Sequence, residues 1–303
     1  MPARNTDLAD VNEIYTAFVL NGNKYPDTVS KIQFDKKSAL LTSDQLKDQM
    51  GRAESMSSAF MNWASRNGYG SSIISVHWTA RPGFSFKSVT GYDVDQRKNP
   101  SDVLVDFGGG KYLGLSAKST KGKGDIGFKN PGVGTVERNL NIKLKPIADK
   151  VTKEFIEKFG LSQSASIRKG EVRSNPLIKK NADEEGVKVF NEMRKVFLNK
   201  LNSMNDKQKK DYIIDSWFDA SAELRPAYVK VTGRGNKGRY SADVDDPLNN
   251  PKLSAISKDK ISFEEVGNDS VGVKAGSKKI LKMRFKYESE KLSSSLKMSG
   301  DPW

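Results

Sequence analysis

A chain of 303 residues, 36% hydrophobic and 29% charged, is long enough for one large domain or two modest ones and apolar enough to build a packed core. It has no cysteine and a single histidine, His77. That excludes disulfides, thiolate nucleophiles, Cys- or His-rich zinc sites and His-dependent triads, so any hydrolysis must run on carboxylates, lysine and a hard cation. The 51 Lys and Arg against 37 Asp and Glu leave a net charge of +14, which attracts a polyanion and makes nucleic acid the first partner to consider.

Residues 1–40 are polar and weakly patterned. Charges run through the first 25, no apolar stretch exceeds Ala17 to Leu20, and no segment approaches the roughly 20 apolar residues of a membrane span. A cytoplasmic protein with no membrane partner is expected. Thr42 or Ser43 can cap a helix carrying Leu46, Met50, Ala53, Phe60 and Ala64 at helical spacing until Gly68. Short β-like runs follow at Ile73 to Trp78, Val103 to Phe107 and Tyr112 to Lys118, the last two joined by Gly108-Gly109-Gly110-Lys111, a hairpin signal.

From Pro146 the character changes. Ile147, Val151, Phe155 and Phe159 share a helical face that Gly160 closes. Two further helical patterns run from about Asp183 to Met204 and from about Asp206 to Leu224. Residues 146–225 are therefore expected as a helical insertion or subdomain within a single domain spanning 1–303. After Pro226 strands are expected at Tyr228 to Thr232, Ile261 to Glu265, Val271 to Lys274 and Ile280 to Tyr287. The predicted class is α/β (α+β): a central mixed β-sheet flanked by helices.

Alternation along Tyr112 to Lys118 puts Leu113, Leu115 and Ala117 on one face and Gly114, Ser116 and Lys118 on the other, with Asp102 just ahead of the partner strand. A hairpin can set the Asp102 carboxylate beside Ser116 and Lys118. Cleaving a phosphodiester needs a cation to neutralise the phosphate and activate water, and Mg²⁺ (or Mn²⁺) is held by one or two carboxylates plus waters and carbonyls. Gly114 and the small Ser116 are read as leaving room for a bulky backbone to approach.

Pro100-Ser101-Asp102, a β-turn, then Ser116-Ala117-Lys118 resembles the PD-(D/E)xK motif of restriction-endonuclease-like nucleases over residues 42–145. The resemblance implies a restriction-endonuclease-like core, an Mg²⁺-dependent DNA endonuclease, Asp102 on the metal, Lys118 acting on the attacking water and the Ala117 carbonyl as a further ligand. It also implies a metal-binding Glu on the helix before the sheet, and Glu54 stands in that place. The departure is Ser116, where the family has Asp or Glu; Asp106, Asp125 or Glu137 are the candidates to compensate. The alternative is a non-catalytic nucleic-acid-binding protein with a degenerate nuclease fold.

Substrate contacts are expected from Lys121, Lys123 and Lys129 in the Gly-rich stretch after the motif. Arg234 and Lys237, in Gly233-Arg234-Gly235-Asn236-Lys237-Gly238, are expected in a basic turn, since no apolar helix follows as a dinucleotide site requires. Tyr240 to Asp246 reads as more loop. DNA is the expected partner, with a homodimer also open.

Overall fold

The computed structural model describes residues 5–94, 99–122, 131–218 and 226–303. It is α+β, as the patterns predict, but the expected single domain divides into two compact units: Met1–Ile126 with Ala220–Asn250, and Gly127–Asp219 with Pro251–Trp303. The strands likewise form two sheets rather than one central sheet.

In the first unit, α1 (Asn5–Leu20), α2 (Thr28–Ser38) and α3 (Ser43–Arg66) precede β1 (Ser75–Trp78), the short α4 (Phe86–Thr90), β2 (Val103–Asp106) and β3 (Tyr112–Thr120); β4 (Tyr228–Asn236) and β5 (Arg239–Asp245) complete it. α3 starts where a capping box fixes it: the Thr42 hydroxyl accepts from the Gln45 N–H, and the Gln45 side chain accepts from the Thr42 N–H at 2.9 Å. α2 is capped by Asp27, whose carboxylate accepts from the Ser30 N–H at 2.7 Å. The sheet order is β1-β2-β3-β4-β5, antiparallel except for the parallel β3–β4 pair.

The alternation along β3 has the expected consequence. Leu113, Leu115 and Ala117 pack with Val103, Val105, Val229 and Val231 beneath Val11, Ile14, Met56 and Phe60 of α1 and α3. Leu104 packs with Phe84 and Phe86. Removing a fully buried ring such as Phe60 from such a core costs about 3–5 kcal/mol.

Two expectations change here. The polar first 40 residues form α1 and α2, because α1 buries Asp7, Asn12 and Thr16 along with its apolar residues and satisfies them: Asp7 accepts from Lys37 at 2.8 Å, and Asn12 donates to the Gln49 carbonyl at 3.0 Å. Tyr240 to Asp245 is strand, not loop; as the edge strand it needs no apolar alternation, and its residues are exposed or half-buried.

Gly114 does not make room for substrate. A Cβ there would strike the Ser101 hydroxyl and the Cβ of Tyr228, so the glycine serves close packing between strands. Gly114→Ala is expected to destabilise the protein by about 1–3 kcal/mol. A urea midpoint unchanged by the substitution would show that the space is free after all.

The second unit holds α5 (Val133–Leu140), α6 (Lys145–Phe159), α7 (Ala165–Ser174), α8 (Pro176–Ser203) and α9 (Asp206–Ile213), whose end widens into a π-helical turn at Ile214–Phe218. Then α10 (Pro251–Lys258) leads to β6 (Ile261–Val266), β7 (Ser270–Ala275), β8 (Lys278–Tyr287) and β9 (Leu296–Pro302), an antiparallel meander in sequence order. α6 ends at Gly160 in the left-handed conformation, φ +61, as read from the sequence.

Within 146–218, α8 and α9 pack against the C-terminal strands. Phe190 and Phe197 of α8 pack on Phe285 of β8, with ring centroids 6.5 and 5.7 Å apart, and Arg194 pairs with Glu265 at 2.9 Å. The C-terminal strands form a separate sheet because their apolar face, Val271, Val273, Leu281, Met283 and Phe285, has these helices to bury against. Among the described residues no helix is long and apolar enough to cross a membrane.

Candidate active site

Asp102 lies one residue ahead of β2, with its main chain fixed on both sides. Its N–H donates to the Leu115 carbonyl at 2.8 Å, and its carbonyl accepts from the Thr79 N–H at 3.1 Å. The carboxylate then reaches along β3: Oδ2 accepts from the Ala117 N–H at 2.7 Å, lies 3.5 Å from the Ser116 hydroxyl and 3.6 Å from the Lys118 ammonium. Lys118 and Asp102 keep 39% and 24% of their side-chain surface exposed, so a solvent-borne phosphate can reach them.

A second carboxyl comes from α1. Glu13 accepts from the Trp78 indole N–H at 3.2 Å, which ties the helix to β1, and it feels the charges of both Asp102 and Lys118. Burial, followed by the Asp102 charge, pushes the Glu13 carboxyl up to about 8, against the opposing pull of Trp78 and Lys118. Burial also raises Asp102, although Lys118 and the Ala117 N–H favour its charged form. Two carboxyls that resist ionising together, with one lysine beside them, describe a place where added positive charge is welcome.

The structure brings Asp102, Ser116, Ala117 and Lys118 together as the hairpin pattern predicted, and it leaves Glu54 apart from these contacts. Glu54 sits on the exposed side of α3, accepting from the Tyr15 hydroxyl at 3.4 Å. The carboxyl that feels the Asp102 charge is Glu13, two helices earlier. Sequence reasoning passed over Glu13 because residues 1–40 read as weakly patterned, yet Val11, Ile14 and Ala17, all fully buried, recur at helical spacing around it. Ala117 contributes its N–H to Asp102. Ser116 is 1% exposed and points its hydroxyl toward Asp102.

The candidates to compensate for Ser116 are otherwise engaged. Asp106 accepts from the Gly108 N–H at 2.7 Å in the hairpin turn, and Glu137 accepts from the Leu144 and Lys145 N–H groups in the second unit. Asp125, Lys123 and Lys129 lie outside the described residues. His77 stands apart from the Asp102 contacts, its Nε2 3.1 Å from the Ser75 hydroxyl.

Lys121 is exposed just beyond β3. The parallel register pairs Lys118 with Thr232 and Thr120 with Arg234, which sets the β4–β5 hairpin at the same end of the sheet as Lys118. That hairpin is pinned to α3. Buried Arg52 donates to the Gly235 carbonyl at 2.9 Å, and Asp48 accepts from the Lys237 N–H at 2.9 Å and the Tyr240 hydroxyl at 3.0 Å. Lys237 is exposed at the turn, with φ +49. Arg234 is held by Asp243 at 2.7 Å.

Compared with known proteins, the chain matches no family model, no curated protein and no solved structure. The functional reading therefore rests on the site itself. Among the described residues no cluster of three or more His, Asp or Glu forms a cation cage. Asp102 and Glu13 are nonetheless hard carboxylate donors of the kind that suits Mg²⁺, which takes one or two carboxylates and fills its remaining positions with water and substrate oxygens.

Proposed function

We propose that the chain is an Mg²⁺-dependent endodeoxyribonuclease that hydrolyses DNA phosphodiesters, with a site of the PD-(D/E)xK kind. The observation that carries this reading is the Asp102 carboxylate 3.6 Å from the Lys118 ammonium, with Glu13 of α1 feeling the charge of both. Glu13 supplies the second acid that Ser116 does not.

Asp102 and Glu13 would hold the cation. When bound there, Mg²⁺ supplies charge neutralisation at the scissile phosphate and lowers the pKa of a water. Lys118, an ammonium, is suited to orient the attacking water and to stabilise the negative charge that builds on the phosphate oxygens as one P–O bond forms and the other breaks. The Ala117 N–H holds the Asp102 carboxylate in place, and Trp78 does the same for Glu13. Lys121 and Lys237, toward the same end of the sheet, supply positive charge for the flanking backbone.

Ser116 favours a second reading, a binding protein that keeps the arrangement without catalysis, since a buried hydroxyl is a weak metal ligand. Incubating supercoiled plasmid with the purified chain in Mg²⁺ or Mn²⁺, with EDTA as control, separates the two. Metal-dependent nicking or linearisation is expected. Intact plasmid across about pH 6 to 9 with either metal would leave only the binding reading.

A further inference from the structure

The second unit carries most of the surplus charge, 30 Lys and Arg against 20 Asp and Glu, where the first has 21 against 17. Part of that surplus gathers at one end of the second sheet. The pairs Ile261 with Ala275 and Ala275 with Lys278 set the start of β6, the end of β7 and the start of β8 side by side. The Gly276 N–H donates to the Lys260 carbonyl at 3.0 Å, closing the β7–β8 turn onto the α10–β6 connection. Lys258, Lys260, Lys278 and Lys279 all project from this end. They are exposed, and none has an ion-pair partner among the described residues. Lys210 of α9 joins them, its ammonium donating to the Ser257 carbonyl at 2.7 Å.

Trp303 extends the cluster onto the sheet. Its ring packs where a Cβ on Gly272 would be, and the ammonium groups of Lys279 and Lys274 stand 4.6 and 5.5 Å from its centroid. Asp259, beside Gly276, and Glu264, paired with Lys274, are the acids named at this end, too few to neutralise the lysines.

We propose that this lysine end of the second sheet is a binding surface for the phosphate backbone of nucleic acid, independent of base sequence. Exposed like charges at this density repel one another unless an anion lies across them, and a chain of phosphates matches several at once. Point-charge ammonium groups suit backbone contact rather than base reading, for which arginine's planar fork is the better tool. A lipid surface fits less well, because the large exposed apolar residues, Ile32, Leu40, Ile74, Tyr92, Ile167, Leu177 and Val196, all lie elsewhere in the sequence and none belongs to this end of the sheet. The proposal rests on the nuclease reading only for the identity of the polyanion.

The test is an anisotropy titration of the full chain, in EDTA, with a labelled duplex of about 30 base pairs over a range of salt. Lys278→Glu with Lys279→Glu is expected to weaken binding about tenfold at roughly 100 mM salt and to flatten the salt slope by about 2. Lys31→Glu with Lys36→Glu on α2 makes the same change in net charge and is expected to move affinity less than about threefold. Equal losses in both variants, or none in the first, would overturn the proposal. So would binding of the wild type to phosphatidylserine vesicles but not to DNA. The Lys278→Gln, Lys279→Gln pair guards against misfolding and is expected to give a smaller loss in the same direction. A wild type that binds through these lysines yet cuts no plasmid would refute the nuclease reading and leave this one standing.

Discussion

Asp102→Asn is expected to abolish metal-dependent cleavage, lowering the rate by about 10³-fold or more, while leaving the melting temperature unchanged or slightly raised. The asparagine keeps an oxygen for the Ala117 N–H, which lies 2.7 Å from Oδ2, so the turn into β2 is preserved. What disappears is a negative charge that burial already disfavours. A merely structural Asp102 would give the opposite result, lost stability with activity falling in proportion. Lys118→Ala should cost about 10²- to 10³-fold, since the chemistry loses its positive charge beside the phosphate but keeps the metal ligands. Glu54→Gln is the control, and its cleavage rate should stay within about twofold of wild type because its carboxylate faces solvent and Tyr15. Asp102→Asn that cuts like wild type would place the chemistry elsewhere.

Glu13 gives the second large effect, on both pH dependence and activity. Its folded pKa of about 8 stands above the ordinary 4.5, so the folded state binds this proton more tightly than the unfolded state does. The associated stability is fully present below about pH 4.5 and is lost as pH rises through about 8. Without metal the protein should therefore melt at lower temperature at pH 8 than at pH 6. Glu13→Gln should remove most of that slope and be more stable than wild type at pH 8, on the order of 2 kcal/mol, the Asp102 shift adding to the wild-type slope in the same direction. Divalent cation acts against the proton, because both carboxyls must ionise to hold it; Mg²⁺ should raise the melting temperature more at pH 8 than at pH 6. The same variant should lose cleavage by about 10²-fold or more. Parallel melting curves for wild type and Glu13→Gln across this pH range would show that the carboxyl does not carry the proton assigned to it.

The hairpin with Asp102, Ser116 and Lys118 could be read from sequence because its signals are local: alternating Leu113 and Leu115, three glycines at the turn, and Asp106 accepting from the Gly108 N–H. α3 was legible for the same reason, through Thr42 and Gln45. α1 was not, since its buried polar residues are paid for by partners far along the chain, Asn12 by Gln49 and Asp7 by Lys37. With the helix went Glu13, whose place beside Asp102 exists only after α1 packs on the sheet. β9 was missed as well. It is an edge strand carrying Gly300 and Pro302, and its buried Met298 gives little alternation to follow. The division into two sheets depends on β4 pairing with β3 across more than a hundred residues, which no local pattern encodes.

That β3–β4 pairing also sets the order in which the molecule can assemble. The ribosome delivers β3 long before β4, and the stretch between them belongs to a unit that itself waits for residues 251–303. The first unit therefore cannot finish until residues 220–250 have been made, after α5 to α9 of the second unit. Until β4 arrives, β3 presents an unpaired edge bearing Leu113 and Leu115, and closing the long loop to cover it is slow. The nascent chain therefore carries its candidate catalytic strand with one edge unpaired, and a holding chaperone should matter most while residues 113–231 are being made.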